Sequence, residues 1–366
     1  MDTNSIGYEV DFLPVGDGEK CGDAIALRFG TLLANPPRQT VVIIDGGFKD
    51  SGAKVVEHVR NYYMTNDVAA VIATHPDGDH TGGLETVLTE LNVANLLMHL
   101  PWKHTQNTSH LFEDDRVTDE SVKRALRESL DTARNLEKVA LKNGINIVEP
   151  FFGVTGFSKA VRVLGPTEQF YKSLLPGYRG TPEPKQDPVL AALKRIMEGA
   201  KETVKKVAES WGYETLDDSG ETTAENNSGA IVLFSIGGES LLFTGDAGIP
   251  ALSQAVGRLC SEGFLFSTLK FVQVPHHASR RNIGPTLLNT LIGPKLTQEG
   301  LIKTAFASVS PDGGPKHPSK KVTNAFLRRG APVHVTAGSP KCYFNNAPDR
   351  GWGMSVPLPF YNEVEE

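Results

Sequence analysis

Apolar residues along the first hundred positions recur in two rhythms. The runs 8–13 (YEVDFL), 23–30 (DAIALRFG) and 40–45 (TVVIID) are short, β-rich and separated by Gly, Pro and Asp, which predicts three strands. Between 52 and 65, Val55, Val56, Val59 and Tyr62/Tyr63 fall at helical spacing. The run 68–74 (VAAVIAT) is continuously apolar, the mark of a strand covered on both faces. A helix over 81–91 and a strand over 94–100 follow. The second half repeats the rhythm. Runs 230–236 and 239–245 predict a hairpin across Gly237–Gly238. Helix 250–262, strand 270–275, helix 284–292, strand 304–309, helix 318–329 and strand 332–337 come next. Two βα-rich halves with partly hairpin-paired strands predict an α/β architecture of two sheets, each covered by helices on one side.

Between the halves the period is helical. Val122, Leu126, Leu130, Ala133, Leu136 and Ala140 predict one helix over 120–143, capped at Gly144. Val189, Leu193, Ile196, Ala200, Val204, Val207 and Trp211 predict another over 187–211, with Lys and Glu on its outer face. Both stripes are expected to pack on the core. The segment GYRGTPEPKQDP between them reads as a flexible connection, and LDDSGETTAENN as an acidic loop. The expected organisation is a single domain over 1–366, with a helical insertion and loops at 104–225.

Composition narrows the class. The 366 residues are 39% hydrophobic and 22% charged, the balance of a globular chain with an ample core. There is no run of ~18 apolar residues and no signal-peptide pattern at the start, so neither a membrane span nor Sec-type secretion is expected. Cys21, Cys260 and Cys342 are too few and too scattered for a disulfide scaffold or a CxxC metal site, and a cytoplasmic location is the simplest expectation. The net charge of −6 alone argues against a nucleic-acid binder. Between Lys270 and Lys341, however, eleven basic residues face only Glu299 and Asp312, an excess of nine positive charges. Such asymmetry points to an anionic partner, with solvated helix faces as the plainer alternative. P-loop, Rossmann and GxSxG patterns are absent.

The densest chemistry is in IATHPDGDHTGG, where His75, Asp77, Asp79 and His80 fall within six residues of a strand end. Clustered carboxylates repel one another unless a divalent cation sits among them. Positions 75 and 77 can point toward one ion, while 79 and 80 turn toward a second. The metal-free alternative makes Asp79 a helix cap.

The pattern H-x-D-x-D-H-x-G-G resembles the signature loop of the metallo-β-lactamase superfamily, with Asp77 in place of the usual second His. Together with VGDGEKCGDAI, NNSGAIVL, LLFTGDA and VPHHAS, it is similar to the hydrolase domain of ComEC-type competence proteins, in order from about residue 8 to about 345. The resemblance implies an αββα sandwich with a two-metal site at one edge between the sheets. It implies His75 and Asp77 as ligands of one ion, Asp79 and His80 of the other, and Asp246 as the bridging carboxylate. Asp45 would orient the ligand loop from behind. By register His277 is the late ligand, with His276 facing substrate or packing behind it. His317, in Lys316-His317-Pro318, is either the last ligand or a general acid. The superfamily often supplies a further His near TTAENNSG; here Asn227, Ser228 or water would stand in.

Asp77, Asp79 and Asp246 set three hard carboxylates against three or four imidazoles, a set that accommodates Mn²⁺ as well as Zn²⁺. Two such ions make hydroxide available at neutral pH and can clamp a phosphodiester; the same centre could hydrolyse a lactone, amide or thioester. Arg280, Arg281, Lys316, Lys320 and Lys321 lie close in sequence to the late histidines and suit a polyanion. The expected function is therefore a metal-dependent nuclease or phosphodiesterase acting on nucleic acid. A small-molecule acyl hydrolase is the alternative, and the intact Asp/His set argues against a vestigial binding subunit. The membrane channel of ComEC-type proteins is absent, so DNA uptake is not inherited with the fold.

Overall fold

Successive residues of a strand point to opposite faces, so a run that is apolar throughout must be covered on both sides. Strand Arg38–Gly46 illustrates this: Val41 and Ile43 join a core beneath helices, while Val42 and Ile44 join a core facing a second sheet. The computed structural model, which describes residues 4–185, 206–314 and 317–365, carries this logic through two seven-stranded sheets.

The first sheet runs Lys341–Asn345, Gly7–Phe12, Ala24–Thr31, Arg38–Gly46, Ala70–Ile72, Asn95–Leu97, Asn146–Val148. The second runs Val333–Val335, Thr304–Ala307, Leu269–Gln273, Glu239–Phe243, Ile231–Ile236, Val161–Gly165, Thr155–Gly156. Each contains antiparallel pairs and then a series of parallel ones. In the first, the parallel pairs begin where Arg38–Gly46 meets Ala70–Ile72; in the second, where Glu239–Phe243 meets Leu269–Gln273. The faces between the sheets are filled by Tyr8, Phe12, Phe29, Phe234, Phe243, Phe271 and Phe306. Helices Ser51–Tyr62, Leu84–Glu90, Asp119–Ser129 and Asp131–Lys142 cover the first sheet. Helices Ile249–Ser261, Pro285–Leu291 and Lys320–Arg328 cover the second. The molecule is an αββα sandwich. No helix among the described residues is long and apolar enough to cross a membrane.

The expected hairpin turns at Gly237–Gly238, where both residues take positive φ (60° and 81°), as a tight two-residue turn requires. Three expectations are corrected. The run 68–74 is interrupted: Val68 pairs with Val93 in a small separate sheet, and only Ala70–Ile72 enters the main one. The helix expected over 120–143 divides at Leu130 (φ −113°, ψ 49°), after a Thr118–Ser121 capping box starts its first part. The break still brings Leu126, Leu130, Ala133 and Leu136 into one core. The helix expected over 187–211 lies outside the described residues up to 205, and its end is not helical. Lys206–Ala208 pairs antiparallel with Glu363–Glu365, seating Val207 opposite Val364, and the Trp211 indole donates to the Leu296 carbonyl. Within 104–225, Asn146–Val148 joins the first sheet, while Thr155–Gly156 and Val161–Gly165 join the second.

Candidate metal centre

The parallel strands deliver their chemistry at their C-terminal ends, as open α/β sheets generally do. Asp45 ends Arg38–Gly46, His75–His80 follows Ala70–Ile72, Asp246 follows Glu239–Phe243, and His276 and His277 follow Leu269–Gln273. Two of these ends rely on unusual backbone. Asp45 (φ 57°) is left-handed, and so are three consecutive residues, His276, His277 and Ala278 (φ 48°, 55° and 67°). Non-glycine residues rarely accept this conformation, and it clusters where side-chain aim matters more than local comfort. The glycines after the ligand loop serve close approach: a Cβ on Gly83 would lie 2.2 Å from the Gly46 carbonyl oxygen.

Asp45 is fully buried and acts as the hub behind the loop. One of its oxygens accepts from the Thr74 N–H (2.8 Å); the other accepts from the Thr74 hydroxyl (2.7 Å) and from His80 Nδ1 (2.8 Å). With its hydroxyl proton on Asp45, Thr74 receives the Nδ1–H of His75 (3.0 Å). His277 Nδ1 faces the Ser308 carbonyl (3.0 Å), and His276 Nδ1 the Asn282 side-chain oxygen (2.9 Å). Each Nδ1 thus carries the proton, which leaves Nε2 as the lone-pair donor in the neutral imidazole.

The Nε2 atoms converge. Asp246 Oδ2 lies 3.3 Å from His276 Nε2, 3.8 Å from His75 Nε2 and 4.0 Å from His277 Nε2; Asp246 Oδ1 lies 3.4 Å from His80 Nε2. Asp79 reaches His80 Nε2 (3.8 Å) and His277 Nε2 (3.9 Å), and Asp77 reaches His75 Nε2 (3.6 Å). Three overlapping triplets among the described residues have metal-ligand spacing: His75–His80–Asp246, Asp79–His80–His277 and, on the Nδ1 side of His80 that Asp45 occupies, Asp23–Asp45–His80. Four buried atoms, His75 Nε2, His80 Nε2, His277 Nε2 and Asp246 Oδ1, find no hydrogen-bond partner among the described residues. Buried polar atoms are normally paired, so this convergence fits divalent cations well. Burial alone would raise the Asp246 carboxyl, but His276, His80 and His277 hold it well below the carboxylate range. Burial would likewise lower His80, but Asp246, Asp45 and Asp79 push it well up.

The remaining expected residues are less uniform. Asp77 also forms an ion pair with Arg179, whose backbone N–H is held by Glu225 (2.7 Å). The His317 ring lies 5.5 Å from that of His276 and 6.3 Å from that of His277. Asn227 turns its amide to the Thr223 carbonyl (3.1 Å), and the Ser228 hydroxyl donates to the Glu225 carbonyl (2.6 Å) while accepting from Tyr178. Asn226 instead approaches His276, with its amide nitrogen 3.4 Å from Nδ1. Lys316 lies outside the described residues. Lys320 sets its ammonium 5.0 Å from the centre of the Tyr361 ring, and Lys321 borders a cavity with Arg280 and Arg281.

The basic segment needs correction as a single face. Arg328 and Arg329 are fully buried against Glu209 (3.3 Å) and Glu214 (2.6 Å), and the Lys303 ammonium bonds the carbonyls of Phe266 and Leu269. Their charges hold helix Lys320–Arg328 and the 209–214 loop together, so they do not face a partner.

Sequence reasoning passed over Asp23, Asn282 and Gln273. Asp23 is buried beside His80 (3.8 Å) and accepts from Gln273 (2.9 Å), whose other end receives the N–H groups of Thr244 (2.9 Å) and Gly245 (3.1 Å) just before Asp246. Asn282 donates to the Asp246 carbonyl (2.8 Å). Asp23 stands apart from the ligand loop in the sequence, and Gln273 and Asn282, which flank His276 and His277, are neutral amides with no ligand pattern to mark them.

The chain is similar to several solved structures. A Thermotoga maritima protein provisionally described as a metallo-beta-lactamase aligns at 14% identity, over 65% of this chain and 78% of that one, with a TM-score of 0.32. The metallo-beta-lactamase SMB-1 aligns at 11% identity over 71% and 79%, with a TM-score of 0.26. Unliganded yeast PDE1 aligns at 9% identity over 90% and 97%, with a TM-score of 0.38. A search of the curated proteins found no match. Residues 31–156, which include Asp45 and the whole ligand loop, match the family model "Metallo-beta-lactamase superfamily".

Proposed function

We propose that this chain is a two-metal-ion phosphodiesterase whose substrate is nucleic acid. The observation that carries the proposal is the convergence of four unpartnered ligand atoms, three imidazole Nε2 and Asp246 Oδ1; close to His277 in sequence, Arg280 and Arg281 line a cavity with Lys321. His75, Asp77 and Asp246 would hold one ion; Asp79, His80, His277 and the other oxygen of Asp246 would hold the second. Bound there, divalent ions supply a nucleophile at neutral pH and Lewis acidity toward both attacking and leaving oxygens.

The protein's own part is orientation. Asp45, Thr74, Ser308 and Asn282 fix the imidazole tautomers before substrate arrives, so little reorganisation is needed at the moment of reaction. His317, whose ring lies 5.5 Å from that of His276, would give a proton to the leaving oxygen. Arg280 and Arg281 would receive a phosphate beside the scissile one. Three carboxylates among the ligands favour Mn²⁺ as readily as Zn²⁺. The finer likeness to ComEC-type hydrolase domains, drawn from the sequence motifs, agrees with this substrate class.

The test is a substrate panel with chelator controls: single- and double-stranded DNA, RNA and a bis-aryl phosphate, beside a lactone and a β-lactam. Chelator-sensitive cleavage of the phosphodiesters is the expected result, and turnover of the lactone or β-lactam alone would replace this reading with an acyl hydrolase. His277→Ala should lose metal, whereas His317→Ala should keep it and lose rate by about 10²–10⁴-fold.

A further inference from the structure

A cavity of about 500 Å³ opens between the loop carrying Asp217, Ser219 and Glu221 and a wall formed by Arg280, Arg281 and Lys321. Both sides are anchored to the metal centre. Arg280 lies three residues past His277, and Asn282 bonds His276 and the Asp246 backbone. On the loop side, Gly220 packs so closely on Arg281 that an added Cβ would lie 2.6 Å from its carbonyl oxygen. Thr222, next along that loop, holds the Asn226 amide (2.8 Å) that approaches His276.

The charges in this cavity are mixed, and that is informative. A groove serving only a phosphate backbone is harmed by carboxylates, which repel it. Asp217 and Glu221 nonetheless face the same space as three cations. An ionised carboxylate can only accept hydrogen bonds, so a ligand that meets both kinds of side chain presents an anion to the cations and N–H donors to the carboxylates. A nucleotide does so, and the volume lies within the range of small-ligand pockets. We propose that this cavity binds one unpaired nucleotide next to the scissile phosphate, its phosphate toward Arg280, Arg281 and Lys321 and its base toward Asp217 and Glu221. The inference rests on the phosphodiesterase reading for its substrate class.

The chemistry sets a preference among bases. Cytosine, adenine and guanine carry exocyclic amino groups that a carboxylate can receive. Thymine and uracil offer one ring N–H flanked by two carbonyl oxygens, which a carboxylate repels. A duplex leaves one hydrogen of each amino group free in a groove, but a helix is far too wide for a cavity of about 500 Å³, so the bound nucleotide must be unpaired. Ser219 fixes the acceptor by donating its N–H to Asp217 (2.8 Å).

The experiment measures equilibrium binding of 5′-dCMP, dAMP, dGMP and dTMP to the metal-loaded full-length protein. The three amino-bearing nucleotides should bind roughly 5- to 10-fold more tightly than dTMP. Glu221→Gln and Asp217→Asn should level that ratio, because an amide both donates and accepts. Arg280→Gln should weaken all four alike. Equal affinity for the four, or a ratio unchanged in both carboxylate variants, would overturn the inference. Hydrolysis of the bis-aryl phosphate, followed in parallel, separates the two readings. Turnover with no base preference removes this inference alone. Base-selective binding without phosphodiester turnover removes the phosphodiesterase reading and leaves the nucleotide site standing.

Discussion

Two buried clusters in which aspartate meets histidine, one on the first sheet and one where strand ends of both sheets meet, are wired in opposite senses. Asp11, on strand Gly7–Phe12, spends both oxygens inside the protein. Oδ1 accepts from Arg350 (3.0 Å); Oδ2 accepts from His58 (2.9 Å), the Tyr63 hydroxyl (2.6 Å) and Arg350 again (3.0 Å). Arg350 also reaches Glu9, which Arg28 shares, and its guanidinium lies over Tyr62, Tyr63 and Trp352. The cluster ties the chain around 350 to helix Ser51–Tyr62, with both Asp11 oxygens and His58 Nε2 paired inside it and only Arg350 Nε left over. Asp246, His75, His80 and His277 are as buried as Asp11 and His58, but the atoms they turn to one another find no hydrogen-bond partner among the described residues. Residue identity and burial do not separate a clamp from a site; the separating feature is whether the inward-facing atoms are satisfied.

The largest effect should come from opening the second cluster. Asp246→Ala should remove bound metal and lower phosphodiester turnover by at least the ~10²–10⁴-fold that a missing catalytic group costs. Its melting temperature with chelator present should fall less than that of Asp11→Ala, since the facing imidazoles can release their protons whereas Arg350 cannot. Elemental analysis and calorimetry with chelator check both halves. Unchanged metal content would remove Asp246 as the bridging ligand.

The first cluster should respond in reverse. Asp11→Ala leaves Arg350 and His58 buried without their counter-charge, a loss of about 3–5 kcal/mol of stability. Its metal content should match the wild type. Denaturant unfolding with elemental analysis makes the comparison; metal loss in Asp11→Ala under native conditions would show the two clusters to be coupled.

Legibility in the sequence followed the same division. The strands and the ligand loop were readable because they are local: alternation and continuous apolar runs need only neighbours, and His75, Asp77, Asp79 and His80 lie within six residues. Asp23 and Arg179 were not readable, because each meets the centre from a remote part of the chain and no spacing relates them; Gln273 and Asn282 flank His276 and His277, but a neutral amide carries no charge or ligand pattern to mark it. The split at Leu130 was hidden since the apolar stripe continues through it unchanged. The basic segment misled for a related reason. Net charge along the chain cannot distinguish Arg328 and Arg329, buried against glutamates, from Arg280 and Arg281 at a cavity wall.

Protonation sharpens the contrast at intermediate magnitude. Burial alone would lower the His277 imidazole, but Asp246, Asp79 and Asp23 push it up to about 9. Below that pH a divalent ion must displace a proton, so apparent metal affinity should rise between about pH 6 and 9, up to tenfold per unit for each proton released. Burial would raise Asp11, but His58, Arg350 and Tyr63 hold it at about 2, below its ordinary 3.8. Its folded pKa is depressed, so its contribution to stability is complete above about 4 and lost as the pH falls through about 2. Metal titrations across the upper range and unfolding across the lower one should therefore respond separately. Metal affinity flat from pH 6 to 9 would deny the proton competition at His277.

The smallest effect concerns the rim, where charge meets solvent. Arg280 and Arg281 border the cavity, whereas Arg328 and Arg329 are closed against Glu209 and Glu214, so only the first pair should contribute to a polyanion's salt dependence. Each phosphate that an arginine neutralises releases condensed counterions. Losing one such contact should flatten the log–log dependence of affinity on salt by ~0.9 on duplex DNA and ~0.7 on a single strand. Arg280→Gln with Arg281→Gln should therefore flatten the slope by up to twice that amount and leave the metal content intact. Arg329→Gln should leave the slope unchanged and cost stability, because Glu214 loses its buried partner. Titrations with a labelled oligonucleotide from 50 to 300 mM salt, alongside unfolding of each variant, supply both quantities. An equal slope change in Arg329→Gln would mean that the segment acts through its total charge, and the distinction between rim and buried arginines would fall. An affinity independent of salt in the wild type would remove the polyanion altogether and leave a small-molecule hydrolase as the better account of the centre.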